Sequence, residues 1–175
     1  VDVLKHILNN ENVVAMYAPA IAGQFKASSE QLEEGLQQAG FSKVYEVAKG
    51  ADITAALEAK EFEERMARGE KLMTTSCCPA YVRAVHRHVP DLDPCISDTK
   101  SPMHYIAELA KKENPGCVTV FIGPCLAKRR EGMDDNNVDY VLSAEELAAY
   151  FTAKNIDLMQ IDSEEKSESE KASKS

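Results

Sequence analysis

Residues 117–125 read CVTVFIGPC and carry the clearest strand signal of the chain. Valine, threonine, phenylalanine and isoleucine follow one another without a charge, and these residue types are enriched in strands. Gly123 and Pro124 then end the run, because both residues break regular structure. The stretch therefore predicts a buried strand that leads directly into a turn carrying Cys125.

Residues 71–82, KLMTTSCCPAYV, repeat this order of strand, turn and thiol. KLMTT predicts a short strand that ends at the adjacent Cys77 and Cys78. Pro79 is suited to the first position of a helix that runs towards His88. Adjacent cysteines rarely bond to each other, because the ring that closes is strained. The pair is therefore expected to have a use other than a disulfide.

Three further apolar runs predict strands, at residues 12–19, 41–48 and 138–143. They alternate with helical segments, which favours an α/β fold with a mostly parallel sheet flanked by helices. In such sheets, binding sites gather beyond the carboxyl ends of the strands. We therefore expect the two cysteine turns to converge at that edge.

Local signals mark the ends of two helices. Ser28 and Gln31 have capping-box spacing, and Gly40 is suited to the position just after the same helix. Ser143 and Glu146 form a second capping box.

Two more helices are predicted, one between the two cysteine turns and one before the first of them. Ser101 and Pro102 are a suitable cap and first residue for one of them. Residues 52–70 form the other, and its predicted core-facing side carries four apolar residues: Ile53, Leu57, Phe62 and Met66.

Length and composition suit one domain, which we place at residues 1–161 of the 175. Residues 162–175 are almost entirely polar and predict a disordered tail.

The formal net charge of −9 argues against nucleic acid as a partner. A membrane is not expected either, because no apolar run approaches the about 18 residues that a span needs. No signal peptide is evident, and Val1 indicates a start inside a longer product.

The five cysteines do not suit a disulfide framework, because their number is odd and two are adjacent. We expect a reducing compartment, the cytoplasm, and metal or redox chemistry. Thiols at strand-end turns suit an iron–sulfur cluster, which four cysteines usually hold. Inert buried thiols or a lone redox cysteine are the alternatives.

Four other residues have a simpler interpretation. Cys117 lies in the apolar strand and is expected to be a core thiol. Cys95 follows Pro94 in a loop, where an exposed thiol would be reactive. His86 and His88 share no metal-type spacing with an acid or a cysteine, and we expect them on a helix surface.

Five stretches together resemble the catalytic domain of the [FeFe]-hydrogenase (iron-only hydrogenase) large subunit. TSCCPAYV at 75–82 is similar to that family's TSCCPGW motif, and GPCLAKRREG at 123–132 to its MPCxxKKxE motif. TKSPMH at 99–104 resembles the KSPQQ stretch, and MYAPA at 16–20 the segment beside the cluster. Residues 138–151 resemble the strand and helix after the second motif. The resemblance implies part of a two-lobed α/β catalytic domain.

The resemblance implies different roles for the two adjacent thiols. Cys78 and Cys125 match two of the four ligands of a [4Fe–4S] cluster. Cys77 matches the cysteine that faces the di-iron centre and relays protons. Ala18 and Pro19 match residues that lie close to the cluster.

The resemblance also implies a proton path through Glu58, Glu61 and Ser97. The helical spacing alone places the two glutamates on one face of a helix. Without the resemblance, a solvated face is the simpler interpretation, because Glu63, Glu64 and Arg65 follow.

Lys128 matches the family's lysine that donates to a cyanide ligand of the di-iron centre, and Glu131 matches the acid that follows. Ser101 belongs to the KSP stretch and is implied in cofactor binding. The alternative is that Lys128 is one member of a surface run with Arg129 and Arg130.

Several positions depart from the family pattern, namely Ala80, Tyr81, Met103, His104 and Gly123. The family's third motif, which carries the other two cluster cysteines, is absent from the chain. These departures predict a fragment of a catalytic domain or a divergent, sensory member.

Three functions follow as hypotheses. The chain is part of a hydrogenase of an anaerobe, with a ferredoxin-type electron donor and maturation proteins for the di-iron centre as partners. Alternatively, it is a non-catalytic sensory or iron–sulfur-binding module with the same fold. The third hypothesis is a cluster-free thiol redox protein that uses Cys77 or Cys78, although no histidine stands near them in sequence.

Overall fold

The computed structural model of the chain describes residues 2–9 and 11–161. In that part of the chain, parallel strands form a four-stranded sheet in the order β2-β1-β3-β4. The strands are β1 Val13–Tyr17, β2 Lys43–Glu46, β3 Val118–Ile122 and β4 Tyr140–Leu142. The prediction of an α/β fold with a parallel sheet flanked by helices is confirmed.

Helices connect the strands and cover both faces of the sheet. The α-helices are α1 Asp2–Leu8, α2 Ala22–Phe25, α3 Ser29–Gln38, α4 Ala48–Ala67, α5 Pro79–His88, α6 Pro102–Glu113, α7 Ala127–Met133 and α8 Ala144–Ala153. Short 3-10 helices occur at Pro19–Ile21, Pro90–Cys95 and Leu158–Gln160.

The two faces of the sheet are packed against different helices. Val13, Ala15 and Tyr17 contact a cluster that includes residues of α3 and α8. Val14 and Met16 contact a cluster that includes residues of α6. All five side chains are fully buried. Burial on both faces explains why β1 is a continuous apolar run without alternating polar residues.

The central strands β1 and β3 determine which turns meet at the carboxyl edge. Tyr17, the last residue of β1, pairs with Ile122, the last residue of β3. The Ala18 N–H then donates to the Ile122 carbonyl at 2.9 Å. Ala18, Pro19 and the turn at 123–125 therefore leave the sheet side by side.

The predicted helix caps are present. Ser28 and Gln31 form a reciprocal capping box at the start of α3, as do Ser143 and Glu146 at the start of α8. Gly40 follows α3 with a φ of +109°, a conformation that glycine adopts without steric cost.

Residues 71–75 do not form a strand of the sheet, so this prediction was wrong. Within the described residues, their β-type pairing is limited to a bridge between Thr74 and Ile96. The Thr74 N–H donates to the Cys95 carbonyl at 2.7 Å. Leu72 is exposed, so the segment lacks the buried apolar side that holds a strand in a sheet.

The prediction of which side of α4 faces the core was also wrong. Ile53, Leu57 and Phe62 are 37%, 41% and 47% exposed. The buried positions of the same helix include Thr54 and Arg65, which are polar or charged. The helix therefore buries a polar side and leaves apolar residues at the surface.

Close contact with the start of α6 explains this orientation of α4. A Cβ atom added at Gly50 would lie 2.2 Å from the Pro102 carbonyl oxygen. One turn later, the buried Thr54 hydroxyl lies 3.3 Å from the Lys100 carbonyl oxygen. The side of α4 that touches α6 therefore needs small or hydrogen-bonding residues.

The sequence also predicted a disordered tail and no membrane-spanning segment. The tail predicted at residues 162–175 lies outside the described residues. In the described ranges, no helix is long and apolar enough to cross a membrane.

We predict that Gly50→Ala destabilises the protein by about 2–3 kcal/mol, in the range for overpacked sites, because a backbone carbonyl cannot move aside as a side chain can. The measurement is the free energy of unfolding from urea titration. Gly23→Ala is the matched control, since a Cβ there meets no atom within 4 Å. A loss at Gly50 no larger than at Gly23 would contradict the close contact between α4 and α6.

Candidate functional site

The two cysteine turns precede two helices. Cys78 is the N-cap residue of α5, and Pro79 is its first residue. Cys125 lies between β3 and α7. Cys78 and Cys125 are exposed, Cys77 is partly buried, and all three thiols are free. Cys77 and Cys78 do not follow a strand of the sheet. They follow the isolated bridge between Thr74 and Ile96.

Lys128 connects the two turns. Its ammonium donates to the Cys77 carbonyl at 3.3 Å and to Glu131 Oε2 at 2.7 Å. The side chains of Lys128 and Glu131 are 13% and 20% exposed. The interpretation of Lys128 as one member of a surface run is therefore wrong, whereas the neighbouring Arg129 and Arg130 are exposed.

Ser101 extends this contact to α6. It occupies the predicted N-cap position, but its hydroxyl makes no cap hydrogen bond. The hydroxyl instead donates to Glu131 Oε1. Ser101 is buried, so it holds Glu131 and, through it, Lys128.

Ala18 and Pro19 lie beside the turn that carries Cys125. A Cβ added at Gly123 would lie 3.4 Å from the Ala18 Cβ and 2.7 Å from the ring of Phe121. Gly123, which stands where the resembling family has methionine, therefore leaves room for the Phe121 ring. Pro19 is exposed at the same edge.

Glu61 is the most strongly hydrogen-bonded of the predicted site residues. It accepts from the Ser97 hydroxyl at 2.5 Å, the Asp98 N–H at 2.9 Å and the Thr99 hydroxyl at 2.9 Å. Its Oε1 also lies 2.7 Å from a guanidinium nitrogen of Arg65. Ser97 is buried. The structure thus joins two predicted site residues that are 36 positions apart.

These contacts set the charge of Glu61. Burial alone would raise the pKa of its carboxyl group, but the bonds from Ser97, Asp98, Thr99 and Arg65 together lower it to about 2. Glu61 is therefore a carboxylate at neutral pH, and the interpretation of its helix face as solvated is wrong at this position.

Arg65 is a site residue that the sequence analysis missed. Its side chain is 6% exposed, and it donates to the carbonyls of Pro94 and Ile96, each at 2.9 Å. Although burial opposes its charge, the bond with Glu61 raises its pKa. The available signal was its position four residues after Glu61, which places both on one helix face.

Glu58 lies next to the cysteine pair. Its Oε1 accepts the Ser76 N–H at 3.2 Å, and the Ser76 hydroxyl donates to the Thr99 carbonyl. Among the described residues, no direct hydrogen bond joins Glu58 to Ser97 or to Cys77. Glu58 is therefore linked to the network around Glu61 indirectly, through Ser76 and Thr99.

Cys117 and the two histidines lie where the sequence placed them, whereas Cys95, expected in a loop, ends the 3-10 helix Pro90–Cys95. Cys117 is buried in the core, and burial raises the pKa of its thiol. Cys95 is partly exposed. His86 is exposed and lies 2.8 Å from Asp93, and His88 is exposed.

In the described part of the chain, no group of three or more His, Cys, Asp or Glu side chains is placed to hold a metal ion. Cys78 and Cys125 are two exposed thiols at turns joined by Lys128, which fits half of a four-cysteine cluster site.

A family model described as iron only hydrogenase large subunit, C-terminal domain, matches residues 11–175. Iron hydrogenase 1 of Clostridium pasteurianum is 26% identical over 193 residues, which cover 94% of this chain and 33% of that protein. The periplasmic [Fe] hydrogenase large subunit of Nitratidesulfovibrio vulgaris is 29% identical over 175 residues, with 85% and 42% covered. The chain thus spans well under half the length of these curated relatives.

A solved structure of stepwise [FeFe]-hydrogenase H-cluster assembly superposes with a TM-score of 0.81 at 27% identity, covering 94% of this chain and 50% of that one. An apo [FeFe]-hydrogenase variant from Chlamydomonas reinhardtii gives a TM-score of 0.80 at 27% identity, with 94% and 51% covered. A cytosolic Fe-S cluster assembly factor of Kluyveromyces lactis is 28% identical over 111 residues, with 62% and 24% covered.

We predict that Glu61→Gln lowers the free energy of unfolding by about 2–3 kcal/mol at pH 7, near the lower limit for breaking a buried ion pair. Because the pKa of Glu61 is lowered from 4.5 to about 2, its stabilisation is complete above pH 4.5 and is lost as the pH falls towards 2. The difference between wild type and variant should shrink over that interval in urea titrations.

Glu63→Gln is the matched control, because Glu63 is an exposed residue of the same helix. It should change stability little and without this pH dependence. Equal effects of the two substitutions would refute the structural role of the Glu61 network.

Proposed function

The chain belongs to the family of the iron-only hydrogenase large subunit, C-terminal domain, and on this premise we propose that it forms half of an iron–sulfur cluster site. The parent protein would bind a [4Fe–4S] cluster with a di-iron centre and interconvert H2 with protons and electrons. The observation that carries the proposal is the contact of Lys128 with the Cys77 carbonyl, because it brings the two cysteine turns together.

Cys78 and Cys125 are the proposed ligands of the cluster. Both thiols are exposed and free, so both are available to bind a cluster. A [4Fe–4S] cluster is usually held by four thiolates. The other two would come from residues outside this chain. When bound, the cluster and its di-iron centre would supply the electron transfer and the hydrogen chemistry.

Cys77 is proposed to hold and pass a proton without binding iron. Its thiol lies 3.6 Å from the Thr75 hydroxyl. The rest of the proposed path is Glu58, Ser97 and Glu61, of which Ser97 and Glu61 are directly bonded.

Lys128 is proposed to donate a hydrogen bond to a cyanide ligand of the di-iron centre. Glu131 and Ser101 orient its ammonium through the bonds described above. Ala18 and Pro19 are proposed to lie close to the bound cluster, since they leave the sheet beside the turn of Cys125.

The second candidate, a non-catalytic sensory or iron–sulfur-binding module, has specific support. A proton carrier works best when its pKa is near the operating pH, whereas Glu61 has a pKa of about 2. The relative from Kluyveromyces lactis is named as a cluster assembly factor.

Replacing the matching part of the Clostridium pasteurianum hydrogenase with this chain distinguishes the enzyme from the non-catalytic module. Hydrogen turnover supports the enzyme, and bound iron without turnover supports the module.

The proposed partners are a ferredoxin-type electron donor and, for the di-iron centre, maturation proteins. A relative named as an NADP-reducing hydrogenase subunit and a structure of H-cluster assembly are consistent with such partners. Five cysteines with no disulfide among the described residues favour a reducing compartment such as the cytoplasm of an anaerobe, although one relative is named periplasmic.

We predict that the chain alone retains far less than the four irons of a complete cluster and does not turn over hydrogen. The experiment is anaerobic reconstitution with iron and sulfide, followed by chelation, iron counting and electron paramagnetic resonance. Cys78→Ser and Cys125→Ser should each remove the residual iron, because each removes one of only two thiolates. Cys77→Ser should leave it unchanged.

Cys95→Ser is the control for loss of a partly exposed thiol outside the site. Four irons per chain that survive chelation would contradict the half-site. Iron loss in Cys77→Ser equal to that in Cys78→Ser would contradict the separate roles of the adjacent thiols.

A further inference from the structure

The carboxylate of Glu61 is surrounded by donors from three consecutive residues and from Arg65. Its Oε2 accepts from the hydroxyls of Ser97 and Thr99, at 2.5 and 2.9 Å. Its Oε1 accepts the Asp98 N–H at 2.9 Å and lies 2.7 Å from a guanidinium nitrogen of Arg65. An ionised carboxyl group has about four lone-pair sites, so these donors occupy all of them.

Protonation of Glu61 must therefore break or reverse one of these bonds, because the arriving hydrogen needs a lone pair that a donor already occupies. The Asp98 N–H belongs to the backbone and cannot turn away. Arg65 is held in place by the carbonyls of Pro94 and Ile96, each at 2.9 Å. Two of the donors are thus fixed, and the two hydroxyls remain.

The two hydroxyls differ in how firmly they are held. Ser97 is buried, and its hydroxyl oxygen also accepts the Thr99 N–H at 3.1 Å. The Thr99 hydroxyl makes no second hydrogen bond within the described residues, and Thr99 is only partly buried. Rotation about one side-chain bond turns it away from Glu61. Thr99 is therefore the donor that releases the carboxylate most easily.

The backbone of Thr99 links the same position to the cysteine pair. Its carbonyl accepts from the Ser76 hydroxyl, and the Ser76 N–H donates to Glu58 Oε1 at 3.2 Å. Cys77 is the next residue of the chain. Thr99 is thus connected to both glutamates of the proposed proton path, to Glu61 by its side chain and to Glu58 through Ser76.

We propose that Thr99 is a positioning residue that controls proton passage at Glu61. Its hydroxyl keeps the carboxylate charged, and Glu61 takes a proton from Ser97 when that hydroxyl turns away. In this step Ser97 gives its hydroxyl proton to Glu61 Oε2 and takes another from the inner side of the path, so the serine stays neutral. The inference rests on the proposed function, because only a proton path gives the protonation of Glu61 a use.

The charge state of Glu61 agrees with this role. Burial alone would raise the pKa of its carboxyl group, yet the surrounding donors hold it at about 2, because hydrogen bonds to the charged form favour that form. While the Thr99 hydroxyl stays bonded, the carboxylate therefore resists protonation at neutral pH.

The test is an NMR titration of the isotopically labelled Glu61 carboxyl group in the chain as purified, with the signal assigned by its loss in Glu61→Gln. Thr99→Val removes the hydroxyl and keeps the shape of the side chain. It should make Glu61 bind a proton about tenfold more tightly, because one hydrogen bond to a charged group is lost. Thr99→Ser keeps a hydroxyl and should titrate like the wild type.

The charged groups around Glu61 are the same in these variants. Arg65 lies against its carboxylate, and the carboxylates of Asp98 and Glu70 lie 3.2 and 3.5 Å from Arg65. A valine at position 99 changes none of these charges. A changed titration therefore reports the loss of the Thr99 hydroxyl.

Thr74→Val is the matched control, because Thr74 is also partly buried and its hydroxyl lies 3.5 Å from the Cys95 carbonyl, two residues before Ser97. It should leave the titration of Glu61 unchanged. The amide spectrum at each pH verifies folding, and Thr99→Ala replaces Thr99→Val if the valine variant does not fold. An unchanged titration without the Thr99 hydroxyl, or an equal change in Thr74→Val, overturns the proposal, because Thr99 would then only hold its loop in place.

Because the titration needs no cluster, its result is independent of the iron-binding experiment. Iron retained by Cys78 and Cys125 with an unchanged Glu61 titration would refute the role of Thr99 and leave the cluster site. A changed titration without retained iron would leave the role of Thr99 at Glu61 and contradict the cluster site.

Discussion

The ion pair between Glu61 and the buried Arg65 constrains the half of the molecule that carries the adjacent cysteines. Buried charges are unfavourable unless their hydrogen-bonding groups are satisfied. Ser97 and Thr99 satisfy the carboxylate, and backbone carbonyls of the preceding loop satisfy the guanidinium. Among the described residues, no buried side-chain nitrogen or oxygen lacks a partner. The pair thus fixes α4 against the loop that precedes α6, and this loop pairs with Thr74 just before the cysteines.

The parallel sheet supplies the second constraint, because it aligns turns that are far apart in sequence. The pairing of β1 with β3 places Ala18 beside the turn of Cys125. Ser101 then holds Glu131 from α6, and Lys128 reaches the backbone of Cys77. Residues from four separate segments therefore meet at one edge, which is how α/β folds usually build a site.

The sequence predicted those features that depend on local interactions. The capping boxes of α3 and α8 and the strand predicted at 117–123 involve residues within a few positions of each other, and all are present, the strand as Val118–Ile122. The buried side of α4 could not be predicted from its own sequence. Its partners lie about 30 to 40 residues further along the chain, and they are polar, so apolar periodicity pointed to the wrong side.

The residues of the candidate site also divide into those that the sequence could indicate and those that only tertiary contacts reveal. Its residues were identified through motif resemblance, whereas Arg65 was missed because it lies outside the motifs and looks like one charge in a charged helix. A place for Lys128 near the site was expected only through the family resemblance, since lysine, arginine and arginine in a row otherwise indicate a surface, and its contact with the Cys77 carbonyl was not foreseen. Tertiary contacts, which a single sequence does not display, decide both cases.

The central claim is that the turns of Cys78 and Cys125 meet at one edge of the sheet. The most direct test uses a variant that keeps only these two cysteines, treated with a short rigid bis-maleimide and analysed by mass spectrometry of its peptides. The account predicts an intramolecular cross-link between Cys78 and Cys125 in high yield in native buffer, which is lost in urea. Single adducts alone, or cross-links only between chains, would contradict it.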